Sequence, residues 1–344
     1  MDGAPGHAIV FGASGLIGWA VVDQLLRCYP EAGTFSKITA ISNRDLEISE
    51  SHWPKTDAGR PKLQLISGID LRHGNGTTLA KSLKQAVEDI DTVTYLFYLA
   101  PDDTEEVATN CRMLQNVVDA HNSLSPNLRF VGYGIYTAGG VFAPPLTEDM
   151  VDNLPPDHTE TIVYPAYRGL LNQASEGRNW TWCEVCPDTI VGFTPNGSQF
   201  SLALHWAQYL SLYAHNHGVG PSNEYTGNPV IEVPFPGSAA GANSLFSPVS
   251  ATRIARFMIY ASLHSDICGG GQLFNIADHE VPCTYGKLWP RLANWFGLVG
   301  TGPPDDSQAQ NNALAVGELP QGSSVSKSLG IQDLKKAKIQ SKAG

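Results

Sequence analysis

The chain has 344 residues, 42% of them hydrophobic, and a formal net charge of −11. The length suits one large domain, or a core with a smaller lobe, and the composition is that of an ordinary globular protein. A pI near 5.3 argues against nucleic acid as a partner, because a phosphate backbone demands positive charge. No apolar run approaches the roughly 18 residues of a membrane helix, so no membrane partner is expected. The first apolar run, AIVFG from Ala8, is too short for a signal peptide and leads directly into a glycine-rich turn. Six scattered cysteines point to the reducing cytoplasm.

In chain order, the first half alternates. AIVF (8–11) is strand-like and a helix is expected over 16–27. KITAIS (37–42) and KLQLIS (62–67) are strand-like, followed by a helical stretch over 79–86. TVTYLFYL (92–99) is a continuous apolar run, the pattern of a strand buried on both faces. A helix is expected over 104–121 and a strand at LRFVGY (128–133). Strands and helices alternating at these lengths imply parallel βαβ units with right-handed crossovers.

The second half is less regular. Helices are expected over 164–176, 201–215 and 251–263, and strands at WTWCEV (180–185) and VIEV (230–233). The Gly/Pro/Asn-rich stretch 218–248 is expected to hold only that last strand, and 301–326 reads as loop. The fold expected is therefore α/β, a Rossmann-type doubly wound parallel sheet with a smaller C-terminal substrate-capping lobe. Residues 1–195 would form the nucleotide-binding core. Residues 196–302 would be mainly lobe with some core elements, and 303–344 a loop-rich tail.

Two motifs are weighed and set aside. Cys183 and Cys186 form a lone C-x-x-C inside a buried strand pattern, without the second ligand pair a metal would need. His215 and His217 fall where a helix should end, a natural place for histidine, and no metal is expected.

The turn after the first strand, GASGLIG, places glycines at Gly12, Gly15 and Gly18. Such glycines permit a tight turn, a close approach to a pyrophosphate and close packing of helix on strand. The helix then faces the phosphates with its unpaired N–H groups. At the end of the second strand, AISNRD offers Asn43 and Arg44 to a 2′-phosphate, which favours NADP(H) over NAD. Asp45 is placed to pair with that arginine, and Arg44 also reads as a solvated loop residue. Asp70 ends the third strand, where an acidic side chain can reach the adenine amino group.

Several stretches together carry a family resemblance: LFYLAP, NCRMLQNVVDA, PPLTEDM, CPDTIVGFTPNG, VPFPGS, FNIADHE and LWPRLANWFG. On these the chain resembles the short-chain dehydrogenase/reductase superfamily, specifically its progesterone 5β-reductase/iridoid synthase-like branch. The resemblance spans most of residues 7–302 and implies an NADPH-dependent reductase that sends hydride to the β-carbon of an enone or enal. It also implies that Ser14, Leu16, Ile17, Leu99, Pro187 and Ile190 join the glycines around the cofactor. In the family a tyrosine, helped by a lysine on the loop after the fifth strand, polarises the carbonyl oxygen. Tyr164 matches the tyrosine. The lysine's place falls in GYGIYTAGG (132–140), with Ala138 as its match, and no lysine occurs between Lys84 and Lys287.

Two sources for the missing donor are open. Arg168 lies one helical turn beyond Tyr164, on a similar face, and reads either as a substitute cation or as a surface residue pairing with Glu176 or Glu160. Tyr133 and Tyr136, near the carboxyl edge of the sheet, read either as second donors or as packing. The aromatics Trp206, Tyr209, Tyr213, Phe235, Phe246 and Tyr260 suggest an apolar pocket for a hydrophobic small molecule, a terpenoid or polyketide. A homodimer is compatible with the pattern. Three functions remain in view: the reductase, a redox-neutral isomerase or cyclase on the same scaffold, and a non-catalytic nucleotide sensor.

Overall fold

The computed structural model describes residues 4–55, 57–100, 107–134, 145–155, 163–219 and 230–304. Its main elements are β1 (Gly6–Phe11), α1 (Leu16–Leu26), β2 (Phe35–Ser42), β3 (Lys62–Ser67), α2 (Gly76–Ala86), β4 (Tyr95–Tyr98), α3 (Val107–Leu124) and β5 (Phe130–Gly134). They continue with α4 (Val163–Ser175), β6 (Thr181–Pro187), α5 (Leu202–Asn216), α6 (Ala251–Leu263), β7 (Gln272–Ile276) and α7 (Tyr285–Trp295). The strands form one seven-stranded sheet in the order β7-β6-β5-β4-β1-β2-β3. All of its pairings are parallel. The order reverses between β1 and β4, which puts the ligand crevice of an open α/β sheet outside the carboxyl ends of these two strands.

The sequence builds this arrangement by burying both faces of its central strands. Every residue of β1 and β4 is buried, which leaves two apolar faces to be covered by helices. On one face Ala8, Val10 and Phe97 pack with α1 and α6, through residues such as Val21, Leu25, Ile254 and Met258. On the other, Ile9, Phe11, Leu96 and Val131 pack with α2, α3 and α4, through residues such as Leu83, Val117, Tyr167 and Leu171. Helix α2 begins where Asn75 accepts a hydrogen bond from the Thr78 amide and Thr78 reciprocates, closing a capping box.

Three local expectations change. The apolar run 92–99 yields a strand only over Tyr95–Tyr98, because Asp89 turns left-handed (φ 52°) and starts a 3-10 turn at Ile90–Thr92. Strand β7 was not anticipated; it is a half-buried edge strand with little apolar alternation to reveal it. The stretch 218–248 holds more than one strand: besides Glu232–Pro234 it forms a short helix, Ala239–Asn243, capped by Ser238, and the strand Leu245–Phe246.

The chain divides into two compact units, Met1–Tyr213 with Leu245–Cys283, and Ala214–Ser244 with Thr284–Gly344. The described part of the first holds the sheet and its helical layers. In the second, Glu232–Pro234 pairs with Val299–Thr301. There Trp289 donates from Nε1 to the Val233 carbonyl at 3.0 Å and meets the Phe235 ring edge-on at 5.7 Å. Among the described residues no helix is long and apolar enough to cross a membrane, and no cluster suited to a metal ion is found.

Two buried histidines tie stability to pH. His7 is held between Thr92 and Thr39, each hydroxyl 2.9 Å from a ring nitrogen. Burial lowers its pKa from 6.5 to about 4, and burial lowers that of His121 from 6.5 to about 3. The unfolded chain therefore binds more protons than the folded one below the unfolded pKa of 6.5, so stability falls as pH drops through that value toward the folded values. Each histidine is expected to lose on the order of 2 kcal/mol between about pH 7 and about pH 5. Urea unfolding at a series of pH values checks this. The His7→Gln variant, which cannot titrate, should show a shallower decline, and a flat wild-type profile would contradict the assignment.

Candidate active site

The first feature at the carboxyl edge is the turn from β1 into α1. Gly12 adopts φ +80°, and a Cβ there would lie 2.1 Å from the Leu99 carbonyl oxygen. A Cβ on Gly18 would lie 2.1 Å from the Gly12 carbonyl oxygen. These two glycines are thus required by the chain's own packing of turn, helix and β4. Gly15 is different. It is the N-cap of α1, it has no side chain with which to cap the helix, and the nearest atom to a Cβ there is 3.2 Å away. The first-turn N–H groups of Leu16, Ile17 and Gly18 consequently have no intrahelical acceptor and no side-chain cap.

Other predicted residues gather around this turn. Ser14 accepts a hydrogen bond from the Ser42 hydroxyl at 2.7 Å, which fastens the turn to the end of β2. The Ser14 carbonyl accepts from Thr194 at 2.8 Å, bringing the segment after β6 across the turn. A Cβ on Gly192 would meet Leu16 Cδ1 at 3.0 Å, and one on Gly134 would meet Leu99 Cδ2 at 3.4 Å and Ile17 Cδ1 at 3.6 Å. Pro187 ends β6 opposite Ile276, and Ile190 lies in a short strand opposite Val249, packed on the core. Asn43 and Arg44 are exposed just beyond β2. Among the described residues no ion pair joins Arg44 to Asp45.

Asp70 follows β3 at the same carboxyl edge. Its carboxylate accepts from the Arg72 amide (2.9 Å), Arg72 Nε (3.1 Å), Arg72 Nη2 (3.2 Å) and His73 Nδ1 (3.0 Å). The Arg72 hydrogen bonds hold its carboxyl down at about 2. The side chain is therefore engaged within its own loop, and it lines a cleft of about 260 Å³ with Gly68, Ile69, His73 and Thr78. A larger cleft of about 610 Å³, bordered by Arg129, Arg178 and Trp180, opens at the amino ends of β5 and β6, the edge opposite the glycine turn.

The tyrosine region centres on α4. Tyr164 is half-buried in the first described turn of this helix, packed beside the core formed with α3. Tyr167 and Leu171 are fully buried, and the Tyr167 ring meets those of Tyr98 and Tyr133 edge-on at 6.0 and 5.9 Å. Tyr133 itself is fully buried. Its hydroxyl donates to Glu184 Oε2 at 2.9 Å, and burial with that carboxylate pushes its pKa well above the usual value. Arg168 is mostly buried, and among the described residues no ion pair joins it to Glu176. Its Nε donates to the same Glu184 oxygen at 2.5 Å, and its side chain is 17% exposed. The other carboxylate oxygen accepts the Cys186 thiol at 3.5 Å.

Glu184 was overlooked in the sequence, yet it carried a signal. It stands in the middle of a strand read as buried, and a buried carboxylate requires partners. The parallel register sets Tyr133 opposite Glu184 across β5 and β6. Cys183 and Cys186, three apart in a strand, point to opposite faces; both are buried and neither is in a disulfide, and burial raises the Cys183 thiol pKa. Tyr136, Ala138 and Glu160 lie outside the described residues. Along α5 Trp206 meets Tyr209 edge-on and Tyr209 tilts against Tyr213; Phe235 and Phe246 are buried, and Tyr260 stacks on His264 at 3.9 Å.

A doubly wound parallel sheet, a glycine turn opening an uncapped helix at its switch point and a tyrosine helix beside it define a dinucleotide-binding enzyme of the short-chain dehydrogenase type. The chain belongs to the PRISE-like Rossmann-fold domain family, whose model matches residues 8–340. It is 35% identical over 313 residues to the short chain dehydrogenase sirQ of Leptosphaeria maculans, covering 86% of this chain and 75% of that protein. It is 25% identical over 233 residues to the 3-oxo-Delta(4,5)-steroid 5-beta-reductase of Arabidopsis thaliana, covering 64% and 55% of the two chains. Among solved structures, a GDP-L-fucose synthetase from Naegleria fowleri shares the fold with a TM-score of 0.60 at 14% identity, over 95% of this chain and 90% of that one.

The buried pair makes a stability prediction. Arg168→Met should destabilise by about 3–5 kcal/mol, because it strands a buried carboxylate. Adding Glu184→Leu to Arg168→Met should recover much of the loss. Denaturant unfolding of the two variants measures both effects, and a cost within experimental error for Arg168→Met would contradict the pairing.

Proposed function

We propose that this enzyme is an NADPH-dependent reductase of an enone, enal or carbonyl in a hydrophobic specialised metabolite. The observation that carries the proposal is the uncapped start of α1 behind the Gly12–Gly18 turn, where three backbone donors have no acceptor within the helix. The residues present fit a nicotinamide dinucleotide. Gly12, Ser14, Gly15, Leu16, Ile17 and Gly18 would hold the pyrophosphate, and Leu99, Pro187 and Ile190 would flank the remainder. Exposed Asn43 and Arg44, with no ion pair to Asp45, favour a 2′-phosphate and hence NADPH over NADH.

When bound, reduced nicotinamide supplies a hydride to the β-carbon of the conjugated carbonyl. Tyr164 donates a hydrogen bond to the carbonyl oxygen, which gains negative charge as the enolate forms. A phenol is competent for this role without a neighbouring cation, as it carries its own proton. The β-carbon takes the hydride and the α-carbon finally takes a proton, so that the C=C bond is saturated. Apolar and aromatic residues along α5 support a hydrophobic substrate.

One observation supports a second reading, a redox-neutral isomerase or cyclase. Arg168, one turn from Tyr164, is already paired with Glu184, so it does not bring the unbalanced positive charge that a lysine would. Fluorescence titration separates the two. NADPH should bind at least about tenfold more tightly than NADH, and Arg44→Ala should erase most of that preference, a loss of roughly 1.4 kcal/mol or more. Tyr164→Phe should keep nicotinamide affinity but lower the rate of NADPH oxidation with cyclic enones or linear enals by about a hundredfold. Failure to bind either nucleotide would favour the redox-neutral enzyme.

A further inference from the structure

Glu184 is a buried charge that the proposed reaction does not use directly. Its side chain has no solvent exposure, and it gathers the Tyr133 hydroxyl, Arg168 Nε and the Cys186 thiol. Folding alone gives no strong reason for such a pair. Apolar residues of similar volume in place of a buried ion pair are often neutral or stabilising. The pair is also graded in depth: Glu184 is 0% exposed, whereas Arg168 keeps 17% exposure. It leads from the core between β5 and β6 outward to α4.

The manner of the contact matters. Arg168 is gripped through Nε, and its four terminal N–H donors take no part in that bond to Glu184. A guanidinium is planar, so restraining Nε at one end restrains the plane of the whole group. Tyr133 braces the carboxylate from the adjacent strand, which keeps the anchor from rotating. Arg168 stands four residues after Tyr164, on the same face of α4.

We propose that Glu184 is a positioning residue. It holds the Arg168 guanidinium on the Tyr164 face of α4, so that Arg168 serves as a second hydrogen-bond donor to the substrate carbonyl oxygen. The pair then does by oriented donation what the absent lysine would do by net charge. The inference rests on the assignment of Tyr164 as the residue that polarises that oxygen.

The test uses the full chain with NADPH and a panel of cyclic enones and linear enals. Glu184→Gln should fold and bind NADPH as the wild type does, with KM little changed and kcat lowered by about a hundredfold. Arg168→Lys retains the partner charge of Glu184 but offers no Nε fork; it should also fold and lose kcat to a similar extent. Because the two residues act as one unit, the double variant should lose no more than either single variant. A purely structural role would instead reduce the amount of folded protein while leaving kcat per folded molecule unchanged, and that result overturns the proposal. So does a wild-type kcat in Arg168→Lys, should Glu184→Gln fail to fold. Tyr164→Phe is measured alongside. If it loses turnover while the Glu184 and Arg168 variants keep it, the positioning role alone fails. If Tyr164→Phe keeps wild-type turnover, the assignment of the tyrosine fails and the positioning role with it.

Discussion

A carboxylate with no exposure must be answered by donors, and the structure around the tyrosine helix is organised by that requirement. Glu184 is satisfied from three directions: the neighbouring strand, the helix above and its own strand. Each partner is constrained in return. Tyr133 is drawn into the core, and Arg168 is pulled off the surface toward the sheet. Removing Arg168 or Tyr133 takes a partner from a carboxylate with no exposure, which couples the members of the network.

At the switch point the constraint is steric instead of electrostatic. Gly12 and Gly18 are fixed because backbone carbonyls occupy the space that a side chain would need. That packing brings α1 close to β1 and β4, and it leaves the helix start without a side-chain cap. The same close approach that satisfies the core therefore leaves three backbone donors at the helix start without a side-chain cap. Structure and binding capacity have one cause here.

Much of this was legible in the sequence because it rests on short-range pattern. The alternation through β5, the glycine spacing and the helix carrying Tyr164 follow from periodicity and turn chemistry. Strand β7 was not legible, since a half-buried edge strand of five residues has no distinctive alternation. The fate of Asp70 depended on Arg72 and His73 folding back on it, a local choice among several available partners. For Arg168 the sequence offers partners among nearby carboxylates. Glu184, 16 residues away on β6, becomes adjacent only when the helix packs on the sheet. Reading β6 as buried was enough to require a cation for Glu184; it was not enough to say which one.

The central claim is that hydride passes from nicotinamide to carbon in this site. It is tested most directly with NADPH deuterated at its transferable position, incubated with the enzyme and a hydrophobic cyclic enone. Mass and NMR analysis of the product should find one deuterium on the β-carbon, with stoichiometric oxidation of the cofactor. Turnover of such a compound to an isomer, carrying no label and leaving NADPH unoxidised, would contradict the account.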